Sequence, residues 1–272
     1  MKYTVITTFN NEGYNQYGLR MIETFVQNWP KTVNLKVYAE KCAEKIQSHD
    51  NVEILDLELA CPKLLDFKNR WRNVPKANGD VTQDPVRSRR TDAGKGFKWD
   101  AIRFSHKVYA IFHAAKHCQT PWLIWMDADM VCHAPMVESF LDSQCPENFD
   151  LCYLGRRGKF SECGLYAMQL YTKGTVRFLK EFQRMYDDAE QGIFTLDEWH
   201  DSFVFDDVRS RIEGLRQLDW SQGIITGEGH PLINSAWGAY LDHLKGKRKT
   251  TGHSLAKDLK VSRNEPYWQN IR

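Results

Sequence analysis

The stretch most able to do chemistry is Trp122-Leu-Ile-Trp-Met-Asp127-Ala128-Asp129. Five large apolar residues in a row predict a strand buried on both faces. Two carboxylates follow at i and i+2, and along an extended chain such side chains point the same way. Ligands of α/β sheets gather beyond the carboxyl ends of the strands. Two hard oxygen donors there, Asp127 and Asp129, suit Mg2+ or Mn2+ carrying a diphosphate. Ala128, between them, would lie against the same ligand.

Such a strand end needs a sheet to hold it. Tyr3–Thr8 reads as a buried N-terminal strand, with a turn at Phe9–Gly13. Tyr17–Trp29 carries apolar residues at helical spacing and is stopped by Pro30. Leu35–Ala39 and Val52–Leu57 read as strands, with a short helix over Lys41–Ser48 between them. This alternation predicts the α/β class, a mixed, mainly parallel sheet flanked by helices. Residues 66–98 hold Pro75, Gly79, Pro85, Gly94 and Gly96 and read as a long loop insert. A helix over Phe97–His117 then leads to the Trp122 strand. Leu151–Leu154 and Gly164–Tyr171 read as strands, and Thr175–Asp188 and Phe203–Leu215 as helices. No repeat or Ser/Gly-rich linker divides the chain, so 1–272 is expected to be one domain.

Composition narrows the function classes. In 272 residues, 42% are hydrophobic and 26% charged, which fits a globular chain and excludes disorder. No apolar run approaches membrane-spanning length. The opening MKYTVITTFN lacks the apolar region of a signal peptide. The expectation is a soluble cytoplasmic protein without a transmembrane segment. Cys42, Cys61, Cys118, Cys132, Cys145, Cys152 and Cys163 are odd in number and form no CxxC, so they read as reduced thiols and not as a zinc site. The net charge of +2 hides segregation. Residues 66–98 carry nine Lys/Arg against four acids, and 245–272 eight against two. A near-neutral total with two basic segments favours a local phosphate site over nonspecific nucleic-acid binding.

The D-x-D after a hydrophobic strand resembles the hallmark of GT-A fold glycosyltransferases. His243-Leu-Lys-Gly246-Lys-Arg-Lys249 fits H-x-x-G-x-x-K, similar to the C-terminal motif of glycogenin-like and lipopolysaccharide galactosyltransferase-like enzymes. That resemblance implies His243 as the third protein ligand of a metal beside Asp127 and Asp129, and Lys249 on the diphosphate. Gly246 would let the backbone approach phosphate. His230 and His253 are the rivals for the metal role. The family's motif continues with Pro-Trp, where this chain has Thr250-Thr251. Ser161–Tyr166 resembles the family's Asn-Ala-Gly-Val strand, with Gly164 on the donor-sugar pocket and Glu162 where Asn is common. Glu198-Trp-His-Asp201-Ser202 falls at the family's acidic motif. It implies Asp201 beside the reacting centre, with Glu198 as second choice. Ser202 stands where retaining relatives carry Gln.

The function so implied is metal-dependent glycosyl transfer. The donor would be a nucleoside diphosphate sugar, UDP-sugar first. The acceptor hydroxyl would belong to a glycan, a lipid-linked sugar, a protein or a small molecule. Thr7, Thr8 and Phe9 should border the base and ribose. Arg103 and Lys107, four apart on one helical face, should lie near the diphosphate or sugar. Tyr14 and Tyr17 could stack on the base or pack in the core. The basic 66–98 segment could close over the donor. The alternatives are a nucleotidyltransferase, whose usual Gly-rich phosphate loop is FNNEG here, and a basic nucleic-acid-binding protein. The latter leaves both motifs unexplained.

Overall fold

Parallel pairing organises the N-terminal half of the chain. In the computed structural model, which describes residues 1–224 and 230–271, β1 (Tyr3–Asn10) pairs in parallel with β2 (Asn34–Glu40), and β2 with β3 (Val52–Asp56). On its other side β1 pairs in parallel with β4 (Trp122–Met126). Beyond a turn, β5 (Met130–Cys132) leaves this sheet. The sheet continues through β6 (Leu151–Tyr153), β7 (Leu165–Gln169) and β8 (Gln217–Asp219). Their order is β3-β2-β1-β4-β7-β6-β8, and β7 alone runs against the rest. A second, two-stranded sheet joins β5 to β9 (Leu241–His243), antiparallel.

Helices cover both faces. They are α1 (Leu19–Asn28), α2 (Pro62–Trp71), α3 (Ala101–His117), α4 (Glu138–Gln144), α5 (Lys173–Asp187) and α6 (Asp201–Arg211). Strand β4 shows the two-faced burial that its sequence predicts. Leu123 and Trp125 join the core containing α2, α3, α5 and α6, while Trp122, Ile124 and Met126 join the core containing α1. The α/β class and the mainly parallel sheet are as the alternation predicts. Among the described residues no helix is long and apolar enough to cross a membrane. All seven cysteines are free and buried.

Several boundaries differ from expectation, each for a local reason. Lys41–Ser48 forms only one tight turn, Ala43–Lys45; Lys41 at φ +57° and Cys42 at φ −149° lie outside helical backbone. The start of the 66–98 segment belongs to α2, where Pro62 opens the helix and Leu64, Phe67 and Trp71 make its buried face. The remainder is irregular but packed, with Ala77, Val81 and Trp99 buried. Gly79, at φ +81°, lies against Gly96, whose carbonyl a Cβ on Gly79 would meet at 2.7 Å. Helix α3 starts at Ala101 because the Asp100 side chain accepts from the Arg103 N–H at 3.0 Å. Helix α6 starts two residues earlier than its apolar pattern suggests, capped by His200.

Candidate active site

The two acids sit where β4 stops. The Asp127 N–H donates to the Gly164 carbonyl at 2.8 Å, and the Met130 N–H closes a turn onto the Asp127 carbonyl at 3.2 Å. Asp127 and Asp129 therefore flank a turn and do not share an extended strand. The convergence expected from i, i+2 spacing comes about differently. The turn hands the chain to β5, whose Met130 pairs with His243 of β9. His243 Nε2 thereby comes 3.0 Å from Asp129 Oδ1 and 3.7 Å from Asp127 Oδ2. The three residues offer ligand atoms all within 4.8 Å of one another. Trp125, inside β4, aims the first acid: its Nε1–H donates to Asp127 Oδ1 at 2.7 Å.

Gly164 is required by this packing. A Cβ there would stand 2.4 Å from His243 Cε1 and 2.7 Å from Nδ1, well inside van der Waals contact. The opposite ring nitrogen, Nδ1, donates to the buried carboxylate of Glu162 at 2.8 Å. Burial alone would lower the His243 pKa; Asp129 and Glu162 outweigh it and push the imidazole up to about 9. Burial likewise opposes charge on Asp129, yet His243 and Lys249 hold its carboxyl well below the usual range. Lys249 Nζ lies 3.0 Å from Asp129 Oδ2 and 4.4 Å from the centre of the Tyr17 ring.

Lys107 links the strand end to α6. Its buried ammonium lies 3.3 Å from Asp127 Oδ1 and 2.7 Å from Asp201 Oδ2, and also donates to the Cys163 carbonyl. The rings of Trp125 and Tyr166 flank it, at 4.7 and 5.5 Å. Burial works against both charges. The two aspartates nevertheless raise the Lys107 pKa, and Lys107 lowers that of Asp201. Of the two cations expected together near the diphosphate or sugar, Lys107 is buried in this cluster and Arg103 is exposed. Arg103 still acts electrostatically on Tyr17, together with Lys249 and both strand-end aspartates.

The structure brings Asp127, Asp129, His243, Lys249, Lys107, Asp201, Gly164 and Tyr17 together. Ala128 is buried in the turn between the acids. Gly246 adopts φ +59° beyond β9, with open space where a Cβ would be. The register Ile6↔Trp125 carries Thr7 and Thr8 to the level of Asp127. Thr7 is buried with an unpartnered hydroxyl, and Thr8 donates to the Tyr38 carbonyl at 2.7 Å. Phe9 differs from expectation: it is buried against Gly13, Gly18 and the Tyr14 ring, so it packs the core and leaves no face for a base. Tyr14 is core as well, its hydroxyl donating to the Lys45 carbonyl.

Glu198, the second choice for the acid beside the reacting centre, stands outside this cluster. Its carboxylate is committed to Lys98 at 2.6 Å, Arg90 at 3.2 Å and His200 at 3.0 Å. These pairs fasten the basic 66–98 segment to the chain before α6. His253 meets the Ser254 carbonyl and is not in the cluster, whereas His230 supports it by donating Nε2–H to the His243 carbonyl at 2.8 Å. The residues that sequence reasoning missed are the anchors: Trp125, His230 and Glu162 in its buried role. One signal was present, a carboxylate placed three residues before the apolar run of β7.

Residues 80–205 match the family described as Glycosyl transferase family 2. That segment includes α3, β4, the turn with both acids, β7 and Asp201. Mouse xyloside xylosyltransferase 1 is similar in structure at 10% identity and TM-score 0.46, over 80% of this chain and 85% of that one. A glycosyltransferase involved in glycosylation of the major capsid of PBCV-1 is similar at 14% identity and TM-score 0.45, over 92% of this chain and 100% of that one. The glycosyltransferase GlyE of Streptococcus pneumoniae TIGR4 gives 9% identity and TM-score 0.47, over 80% of this chain but 45% of that one. No curated protein matches the sequence. Residues 80–205 thus resemble a glycosyltransferase family 2 segment, set in a mixed, mainly parallel α/β sheet.

Proposed function

We propose that the chain, as one domain, transfers a sugar from a nucleoside diphosphate sugar, UDP-sugar first, to an acceptor hydroxyl at the carboxyl end of β4. The observation that carries this reading is the convergence of Asp127, Asp129 and His243 from two sheets, with the Lys249 ammonium already on Asp129. Two carboxylates and an imidazole whose second nitrogen is tied down suit Mn2+ or Mg2+. Such an ion, when bound, supplies Lewis-acid stabilisation of the departing diphosphate. The chain's own cations share that work. Lys249 and Lys245 lie on the segment after β9, and Gly246 between them leaves the backbone open to a phosphate oxygen.

Asp201 is the reading's acid beside the reacting carbon. Lys107 shares its ammonium between Asp201 and Asp127, which keeps the two carboxylates close and lowers the pKa of Asp201 against its burial. A carboxylate held this low is a weak base. Asp201 is therefore better suited to stabilising positive charge on the sugar than to taking the acceptor proton. The acceptor hydroxyl belongs to a glycan, a lipid-linked sugar, a protein or a small molecule.

Release of nucleoside diphosphate from a panel of UDP-, GDP- and CDP-sugars, with Mn2+ and with chelator, tests the proposal. Metal-dependent release from one of them, lost in Asp129→Asn, supports it. Pyrophosphate release from a nucleoside triphosphate, with no nucleotide sugar turned over, would favour nucleotidyl transfer instead.

A further inference from the structure

On the far side of His243 from the two aspartates lies a second carboxylate, buried completely. Glu162 is 2% exposed, between Ser161 and Cys163, which are buried too. Its Oε1 accepts from His243 Nδ1 at 2.8 Å and from Lys245 Nζ at 2.7 Å, and stands 3.5 Å from His230 Nδ1. Its Oε2 and His230 Nδ1 have no hydrogen-bond partner. A buried carboxylate is costly even when paired. The apolar packing of β7, with Leu165 and Tyr166 in the two cores, does not call for a charge there.

We propose that Glu162 is a positioning residue: it fixes the tautomer and ring plane of His243 so that Nε2 offers its lone pair to a divalent ion. This rests on the metal-binding reading given above. A neutral imidazole carries one N–H, and the nitrogen that bears it cannot ligate a metal. An ionised carboxylate only accepts, so it keeps the proton on Nδ1 and frees Nε2. The ring is held from three directions. Glu162 takes Nδ1, the β5–β9 pairing fixes the backbone, and Gly164 admits the ring edge where any other residue would strike it. His230 adds a fourth hold through the His243 carbonyl. Glu162, His230 and His243 could themselves surround an ion, since their ligand atoms also lie within 4.8 Å. That arrangement would take His243 Nδ1 away from its hydrogen bond, and it would compete with the ammonium of Lys245 beside Glu162.

The test is a Mn2+ titration followed by the electron paramagnetic resonance of free Mn2+, with UDP present, on wild type, E162Q and E162D. In E162Q the amide oxygen, in the place of Oε1, still faces both Lys245 Nζ and His243 Nδ1, but as a neutral acceptor it holds the Nδ1 proton and the ring more weakly. The expected result is Mn2+ binding weakened about 10–100-fold, still at one ion per chain. Saturating Mn2+ should restore the UDP-dependent stabilisation of E162Q to near that of wild type, which a merely structural defect would not allow. E162D keeps the charge with a shorter reach and should lose only a few-fold on this scale. It decides the matter alone if E162Q does not fold. Affinity unchanged in both variants overturns the proposal. So does a second ion in wild type that E162Q loses, because Glu162 would then be a ligand. Wild type that binds no Mn2+ at all removes the metal-binding reading itself, and this role with it.

Discussion

At the scale of single residues, the site is a balance of buried and half-buried charges. The carboxylates of Asp127, Asp129, Asp201 and Glu162 face the ammonium groups of Lys107, Lys245 and Lys249 and the imidazole of His243. Removing one member should be felt by its partners. Asp201→Asn should abolish sugar transfer while nucleotide binding persists. It should cost about 1–3 kcal/mol of stability, because Lys107 loses its closer partner; near-normal turnover would remove Asp201 from the chemistry. Gly164→Ala should force the His243 ring aside, lowering stability by about 1–3 kcal/mol and weakening metal-dependent nucleotide binding together. Binding unchanged in that variant would show that the ring has room to move. The acids, His243, Gly164 and Lys249 were legible in the sequence because their spacing matches a known pattern. Lys107 was legible only as a cation on a helix. Nothing in a linear sequence says that Asp127 and Asp201, 74 positions apart, share one ammonium.

At the scale of elements, strand β4 and helix α3 do the positioning. Trp125 is 2% exposed, donates to Asp127 and flanks Lys107. Trp125→Ala should cost about 3–5 kcal/mol and unfold the site. Trp125→Phe keeps most of the packing and should cost about 1–2 kcal/mol for the lost hydrogen bond, measured by urea unfolding. If the two variants melt alike, the indole N–H is not what holds Asp127. The long elements could be read from sequence because apolar period and caps agree over many residues, as in α3 and β4. The three-residue strands β5 and β9 could not, since three residues carry no usable period. Yet their pairing sets His243 opposite the turn, so the decisive geometry rests on the least legible elements.

At the scale of the whole molecule, the two basic segments are fastened to the body and not left as free arms. Glu198 anchors the first through Arg90 and Lys98. The second is held by Asp242, which accepts from Ser254 and from the Tyr267 hydroxyl at 2.8 Å, and by the Arg248–Asp258 pair. The His133 ring stacks on Tyr267, with centroids 4.1 Å apart. Burial depresses its pKa to about 4 from the ordinary 6.5, against the pull of the Gly238 carbonyl, Asp242 and Glu265. The unfolded chain therefore takes up the proton first. Stability is whole above about pH 6.5 and should fall as pH drops toward 4. Wild type should lose about 2–3 kcal/mol more over that window than His133→Phe; parallel losses would show that His133 does not titrate on unfolding. The central claim is that Asp127, Asp129 and His243 hold a divalent ion that carries a nucleoside diphosphate. Thermal melting with UDP, GDP and CDP, each with Mn2+ and with chelator, tests it most directly. One diphosphate at about 100 times its Kd should stabilise wild type by about 2.7 kcal/mol, only with Mn2+, and His243→Ala should abolish the shift. A shift of equal size in chelator, or one that survives His243→Ala, would contradict the account.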